Sequence, residues 1–336
     1  MIFVVGNSRS GTTMMGRILG NHPEVFTFGE LHFFGQLWSP VNSSKIDLYE
    51  SEKLAATLFC IQTEGYRTHG NSDQFVQKAR TFCENIQNYP INPPELFSKF
   101  LIYETHLNKK TIPCDQTPRN VFYIDEILRH YPEAKIINMI RDPRDVLYSQ
   151  KRKWKRRFLG GSNLPLKESL RDWINYHPIT ISRIWNTAVT AADNHRHNNQ
   201  VITIYFEKLL TNPEDTVRNI CQFCDLDYYS SLLKVPQVGS SEDTDKPENL
   251  GINPNRAGNW NDTNISKSKL NTAEIYINQK LNYKLMETHN YTHVNIRPNL
   301  FYLLVTFLSF PMKIIGAFIS NLNRIKNIRE TLRRRL

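Results

Sequence analysis

The chain has 336 residues, of which 40% are hydrophobic and 22% charged, enough apolar material for one large α/β domain with a packed core or for two smaller ones. Its formal charge of +10 is concentrated in two places. Residues 151–157 (KRKWKRR) carry six basic side chains and no acid, and the stretch from Lys313 to Arg335 carries seven against Glu330, so the rest of the chain sits at −2, which argues against a nucleic-acid-binding surface spread over the protein.

The chain opens on Ile2-Phe3-Val4-Val5, four strand formers, and no apolar run precedes them that would act as a signal peptide. The five cysteines (Cys60, Cys83, Cys114, Cys221 and Cys224) are therefore expected as reduced thiols of a cytoplasmic protein. Cys221-x-x-Cys224 has no second pair, and at helical spacing it reads first as core and only second as a metal or redox site. A helix is predicted over 12–20, and Phe26 to Phe28 look like a second strand. A helical insert at about 40–110 follows, with helices over 51–66, 72–88 and 93–108. Further on, strands at 135–140 (KIINMI) and 201–206 (VITIYF) alternate with helices over 118–130, 144–155, 166–195 and 213–224, the order of parallel strands with helical crossovers. From about 236 to 264 the chain is rich in Ser, Asp, Asn, Gly and Pro and predicts a long polar loop. The expected division is one domain over 1–296 and an apolar, basic tail over 297–336.

The segment VVGNSRSGTTMM (4–15) joins the first strand to the first helix through Gly6 and Gly11. Backbone N–H groups at a helix N-terminus favour an anion, and the hydroxyls of Ser10, Thr12 and Thr13 add donors. A loop that grips ATP needs a lysine for the β and γ phosphates and a strand-end carboxylate for Mg²⁺. Here Thr12 stands at the lysine position, and strand 135–140 ends in Arg141. The expected ligand is an anion handled by arginine without a metal.

On these residues the chain resembles the sulfotransferases that use 3′-phosphoadenosine 5′-phosphosulfate (PAPS), near their bacterial and protein-tyrosine branches. NSRSGTTMM is similar to their 5′-phosphosulfate loop, INMIRDPRDVLYSQ to their 3′-phosphate motif with Arg141 and Ser149 eight residues apart, and NPNRAGNW to a late loop that closes over the nucleotide. The resemblance covers roughly residues 1–295. It implies an α/β, P-loop-like three-layer fold with a central parallel sheet flanked by helices, and in-line transfer of a sulfuryl group to a hydroxyl acceptor: a saccharide, lipid, peptide tyrosine or small molecule. It also implies a nucleotide site built from Arg9, Ser10, Gly11, Thr12, Thr13, Arg141, Ser149, Arg256 and Gly258, with Arg9 beside the charge that develops on transfer. Arg141 alternatively reads as a surface partner of Asp145.

The acceptor hydroxyl must lose a proton. In NHPEVFTFGELHFF, Glu30 follows the second strand, and the resemblance to relatives with this pattern, in which the glutamate is the proposed base, implies Glu30 as the first candidate and His32 as the second; a first-turn glutamate favoured by a helix dipole is the plainer alternative. His22 is expected to shape the turn before Pro23. Two positions depart from the family pattern: Gln116 replaces a lysine that can contact the sulfuryl group, and Phe206 replaces a tyrosine before Glu207.

The stretch from Leu300 to Leu322 is 23 residues long and mostly apolar, but it contains Pro311 and Lys313 and runs into a basic end. It reads as an interfacial helix on an anionic membrane, or as a helix packed on the domain. Two other functions stay open at this level: an NTP enzyme of the nucleotide-kinase kind, and a non-catalytic basic module with KRKWKRR as its footprint.

Overall fold

The computed structural model describes residues 1–41, 44–67, 70–159, 165–239, 246–256, 258, 260 and 270–322. The basic end of the tail and part of the predicted polar loop lie outside them.

In chain order the elements are β1 (Ile2–Gly6), α1 (Thr12–Gly20), β2 (Val25–Thr27), α2 (Leu48–Glu64), α3 (Val76–Glu84), α4 (Pro93–Leu107), β3 (Ile112–Asp115), α5 (Ile124–His130), β4 (Lys135–Ile140) and α6 (Pro143–Lys151). They continue with α7 (Leu166–Asn175), α8 (Pro178–Asp193), β5 (Val201–Tyr205), α9 (Phe206–Thr211), α10 (Pro213–Phe223), β6 (Pro236–Gln237), β7 (Lys246–Leu250), α11 (Thr272–Thr288) and α12 (Leu300–Ser320). The strands β2-β3-β1-β4-β5 form one parallel sheet, with Phe3 opposite Asp115 on one side and Ile136 on the other.

Alternation along β1 divides the core in two, because successive strand side chains point to opposite faces. Phe3 and Val5 join Phe34, Phe59, Phe97 and Phe100 under the helices α2 to α5 and part of α8. Ile2 and Val4 join Met15, Ile18, Ile137 and Val217 under α1, α9 and α10. The result is the expected helix-sheet-helix sandwich. All five cysteines are free and buried, and Cys221 and Cys224 belong to the second of these cores.

Several elements differ from the sequence expectation for local reasons. The predicted helix 166–195 is two helices, because Pro178 has no amide to continue α7 and instead starts α8 as its first residue. The strand β3 is missing from the sequence reading: it is four residues long and contains Pro113. The helix α11 also escapes periodicity, since its buried positions mix Glu274, Asn278, Gln279 and Asn282 with Ala273, Ile275, Ile277 and Met286 and so form no apolar stripe. Its start is nonetheless marked by a reciprocal cap between Asn271 and Glu274. Within 236–264, β6 and β7 pair antiparallel. The helix α12 runs unbroken through Pro311 and packs against α7 and α11.

β1 and β4 are neighbours that leave the sheet in opposite directions, β1 toward β2 and β4 toward β5. Open α/β sheets bind ligands in the crevice at such a switch, outside the strand C-termini.

Candidate active site

The loop from Gly6 to Thr13 sits at that crevice. Gly6 has φ 140°, and a Cβ there would lie 2.4 Å from the carbonyl oxygen of Met139 on β4, so only glycine allows the two strands this approach. Arg9 (φ 75°) and Gly11 (φ 95°) both adopt left-handed backbone, at a cost of roughly 1–3 kcal/mol for the non-glycine residue. Gly11 caps α1 with no side chain, and the first amides of a helix have no partner inside it. Thr12 is buried and Thr13 exposed in that first turn. Ser10 Oγ is fully buried and makes no hydrogen bond among the described residues. Loop and helix therefore present donors in search of an anion.

The end of β4 brings cations to the same place. Arg9 Nε donates to Ser149 Oγ (2.9 Å), and its Nη2 donates to the Gly239 carbonyl (3.1 Å). Arg141 donates to the carbonyls of Arg9 (3.4 Å) and Arg256 (2.9 Å), lies 3.6 Å from Asp145, and rests 4.5 Å from the centre of the Phe206 ring. Its buried Nε has no partner among the described residues. Burial, then the charges of Arg156 and Arg141, push the Arg9 guanidinium down to about 9, still cationic at neutral pH. A further negative group entering the cluster would raise Arg9 back toward its ordinary value.

Asp145 links the late loop to this cluster. It accepts from the Gly258 amide and from Trp260 Nε1, both at 2.8 Å, and a Cβ on Gly258 would lie 2.1 Å from its carboxylate. Arg144, in contrast, is 1% exposed and paired to Asp142 at 2.6 Å, so within the IRDPRD segment the second arginine is structural and the first faces the crevice. Phe206 occupies the space next to Gly11, where a Cβ would meet its ring at 2.3 Å. The tyrosine-to-phenylalanine departure thus provides a platform for Arg141 in place of a hydroxyl.

Beside the loop lies a cavity of about 340 Å³, whose walls include Gly6, Asn7, Ser8, Glu30, His32 and Lys153. Leu31 N–H donates to Thr117 Oγ1 (3.1 Å), which donates to Asp115 Oδ1 (2.7 Å), fixing the Glu30 segment to the end of β3. Asp115 is fully buried and pushed up to about 7 by that burial. His32 holds the Glu30 carboxylate at 3.1 Å and packs on Tyr66. Burial works to raise Glu30, but that hydrogen bond and the charges of His32, Lys153 and Arg67 win, leaving it below the ordinary carboxylate value. An ionised carboxylate at neutral pH, in a cavity next to an anion cradle, can accept a proton from a bound hydroxyl.

A further part of the cavity lining was not legible in the sequence. Arg67 pairs with Glu168 (3.4 Å) and Asp172 (2.7 Å), Arg171 pairs with Glu168, and Lys153 lies 3.2 Å from Asp172. Two carboxylates and two guanidinium groups balance one another, so Lys153 adds a positive charge to the wall. The available signal was Glu168, Arg171 and Asp172 at helical i, i+3, i+4 spacing. KRKWKRR, the expected footprint of a basic binding module, is mostly half-buried, with Lys153 in the cavity wall and Lys151 paired to Glu274 at 2.8 Å. Gln116 is buried against Gly16 and does not line the cavity. His22 is also remote from it, contacting the Asp227 carbonyl and the Glu24 amide. Among the described residues there is no cluster of three or more His, Cys, Asp or Glu side chains that could hold a metal.

Comparison with known proteins agrees with this architecture. A model of the sulfotransferase family matches residues 2–230. A Caenorhabditis briggsae protein provisionally named a protein-tyrosine sulfotransferase is 25% identical over 236 residues, covering 69% of this chain and 68% of its own. Protein-tyrosine sulfotransferase 1 of Danio rerio is 22% identical over 239 residues, which cover 69% of this chain and only 55% of that protein. Among solved structures, the sulfotransferase domain from the Synechococcus PCC 7002 olefin synthase shares the fold, with a TM-score of 0.51 at 18% identity over 87% of this chain and 95% of that domain. With the family model matching from β1 through α10, the chain belongs to the sulfotransferase family.

Proposed function

We propose that the protein transfers the sulfuryl group of PAPS to a hydroxyl acceptor, with Glu30 as general base and no metal. The observation that carries this reading is the meeting of Arg9, Arg141 and Ser149 in one cluster whose buried donors Ser10 Oγ and Arg141 Nε have no partner among the described residues, beside the cavity that holds Glu30. When bound, PAPS supplies an activated SO₃ group on its 5′-phosphate and a second anion, the 3′-phosphate. The α1 amides with Ser10, Thr12, Thr13 and Arg9 would hold the first, around Gly11. Arg141 and Ser149 would hold the second, since a guanidinium donates two hydrogen bonds to a phosphate, and the loop carrying Arg256 and Gly258 would close over them. No further phosphate needs gripping, so Thr12 in the lysine position is consistent with this donor.

On the acceptor side, Glu30 takes the hydroxyl proton at its carboxylate and His32 holds that carboxylate in place. Lys153, which lines the same cavity as Glu30, supplies the cation that Gln116 does not, next to the charge that grows on the sulfuryl oxygens. We read the protein as cytoplasmic, with α12 as a peripheral membrane contact.

Titration calorimetry in EDTA with 3′,5′-adenosine bisphosphate and 5′-AMP tests the reading. Loss of the 3′-phosphate removes charge-assisted contacts of about 1.5–3 kcal/mol, so the bisphosphate should bind at least about tenfold tighter. Equal affinities overturn it.

A further inference from the structure

The helix α12 is long and apolar enough to cross a membrane, yet it is fastened along the domain. Lys313 Nζ donates to the Trp173 carbonyl and lies 3.9 Å over the Trp173 ring; Arg171 donates to the Ser320 carbonyl, and His177 contacts the Thr306 carbonyl at 3.1 Å. A helix tied at three levels to its own domain lies along a surface; spanning would break those ties. Its outer side is left bare: Phe301, Leu304, Leu308, Met312, Ile315 and Ile319 recur at three- and four-residue steps and are 58–71% exposed. Leu166, Leu170 and Trp173 continue that face on α7, 52–66% exposed. An apolar surface of this extent in water marks an interaction site.

The opposite face of α7 is a wall of the cavity. Glu168, Arg171, Asp172 and Asn175 line it, and Asn321, just past the end of α12, lines it too and donates to Asn175 at 2.8 Å. One helix, about 10 Å across, therefore separates the bare apolar face from the cavity. The sequence beyond residue 322 adds six basic side chains against one acid. That charge attracts an anionic bilayer and repels a second copy carrying the same tail.

Resting on the reading of the cavity as the acceptor site, we infer that α12 and the outer face of α7 lie on an anionic bilayer, and that the acceptor is the hydroxyl-bearing headgroup of a molecule anchored in it. The bilayer then holds the headgroup at the height of the cavity while its apolar part stays in the membrane, so the cavity needs to recognise only the polar end.

The test uses the full chain and Leu304→Glu/Leu308→Glu, which lies outside the site. Both are assayed for adenosine bisphosphate binding, for flotation with phosphatidylcholine vesicles with and without phosphatidylglycerol, and for transfer of ³⁵S from labelled PAPS into vesicles of total host lipid. The full chain should float with the phosphatidylglycerol vesicles and label the lipid phase; the variant should lose both by at least about tenfold while binding the nucleotide unchanged. The inference is overturned if the variant floats like the full chain, if no label reaches the lipid phase, or if light scattering shows a dimer that the variant splits without any vesicle binding. If the bisphosphate does not bind either form, the assignment of the nucleotide site fails, while flotation still decides the membrane face.

Discussion

Arg9 Nε donates a 2.9 Å hydrogen bond to the hydroxyl of Ser149, joining positions 140 residues apart and placing the first loop against the end of the fourth strand's helix. Because Ser149 touches Arg9 and neighbours Arg141, its removal separates two roles. Ser149→Ala is expected to weaken adenosine bisphosphate binding by about tenfold, the value of roughly one hydrogen bond to a charged group, and 5′-AMP binding much less. Equal loss for the two nucleotides would show that Ser149 acts only by positioning Arg9.

Glu30→Gln should lower turnover by about 10²- to 10⁴-fold and change bisphosphate affinity far less, as the carboxylate lines the cavity and is held by His32, reaching Arg9 only through its charge. Glu30 is held below its ordinary value of 4.5, so kcat/KM should be flat across neutral pH and fall only as the carboxylate protonates below that value. His32→Ala removes the hydrogen bond that lowers Glu30 and should move this acid limb upward. An unmoved limb in that variant would assign the titration to another group.

Lys153→Met is expected to weaken PAPS more than the bisphosphate, because only PAPS presents a sulfuryl group to the cavity. A lost charge-assisted contact corresponds to about tenfold or more, with Lys153→Arg recovering part of it. If both nucleotides lose affinity in proportion, the lysine is a structural partner of Asp172 alone.

Glu207 accepts from the Asp142 amide (2.8 Å) and from Tyr291 (3.1 Å), and burial, reinforced by the charges of Asp142 and Asp145, raises it to about 7. The folded state thus binds this proton more tightly than the unfolded chain does. Its contribution to stability is complete below the ordinary carboxylate value and is lost as pH rises through about 7. Urea midpoints should therefore fall between about pH 5 and pH 8 in the parent and fall less in Glu207→Gln. An identical slope in the variant would place the titration elsewhere.

How much was legible follows from how local each signal is. The loop 6–13 could be read because glycines, hydroxyls and a strand-to-helix change lie within ten residues of one another, and Arg141 and Ser149 because INMIRDPRDVLYSQ resembles a family motif; in the fold they flank α6, Arg141 before its start and Ser149 near its end. Glu30 was singled out by its place after a strand together with the resemblance of its segment to the family pattern. Lys153 was read only as one member of the KRKWKRR run, since charge composition does not say which side of a turn faces inward. Arg67, Glu168, Arg171 and Asp172 come from segments about a hundred residues apart, and ion pairs between them leave no trace in either segment alone. Phe206 stood out as a departure, but its role beneath Arg141 and against Gly11 depends on two further strands.

The alternation of strands β1, β4 and β5 with helices and the glycine-bearing turn from β1 into α1 were determined by the chain itself, because hydrophobic periodicity and short-range spacing dictate them. Tertiary structure decided which charges meet: the crossing of β3 past β1 to β4 and the return of α11 against α6 and α8 assemble side chains that no periodicity links. It also decided that α12 lies along α7 with its apolar side outward, since the ties through Lys313, Arg171 and His177 run between segments over 125 residues apart, which no local pattern in either segment can specify.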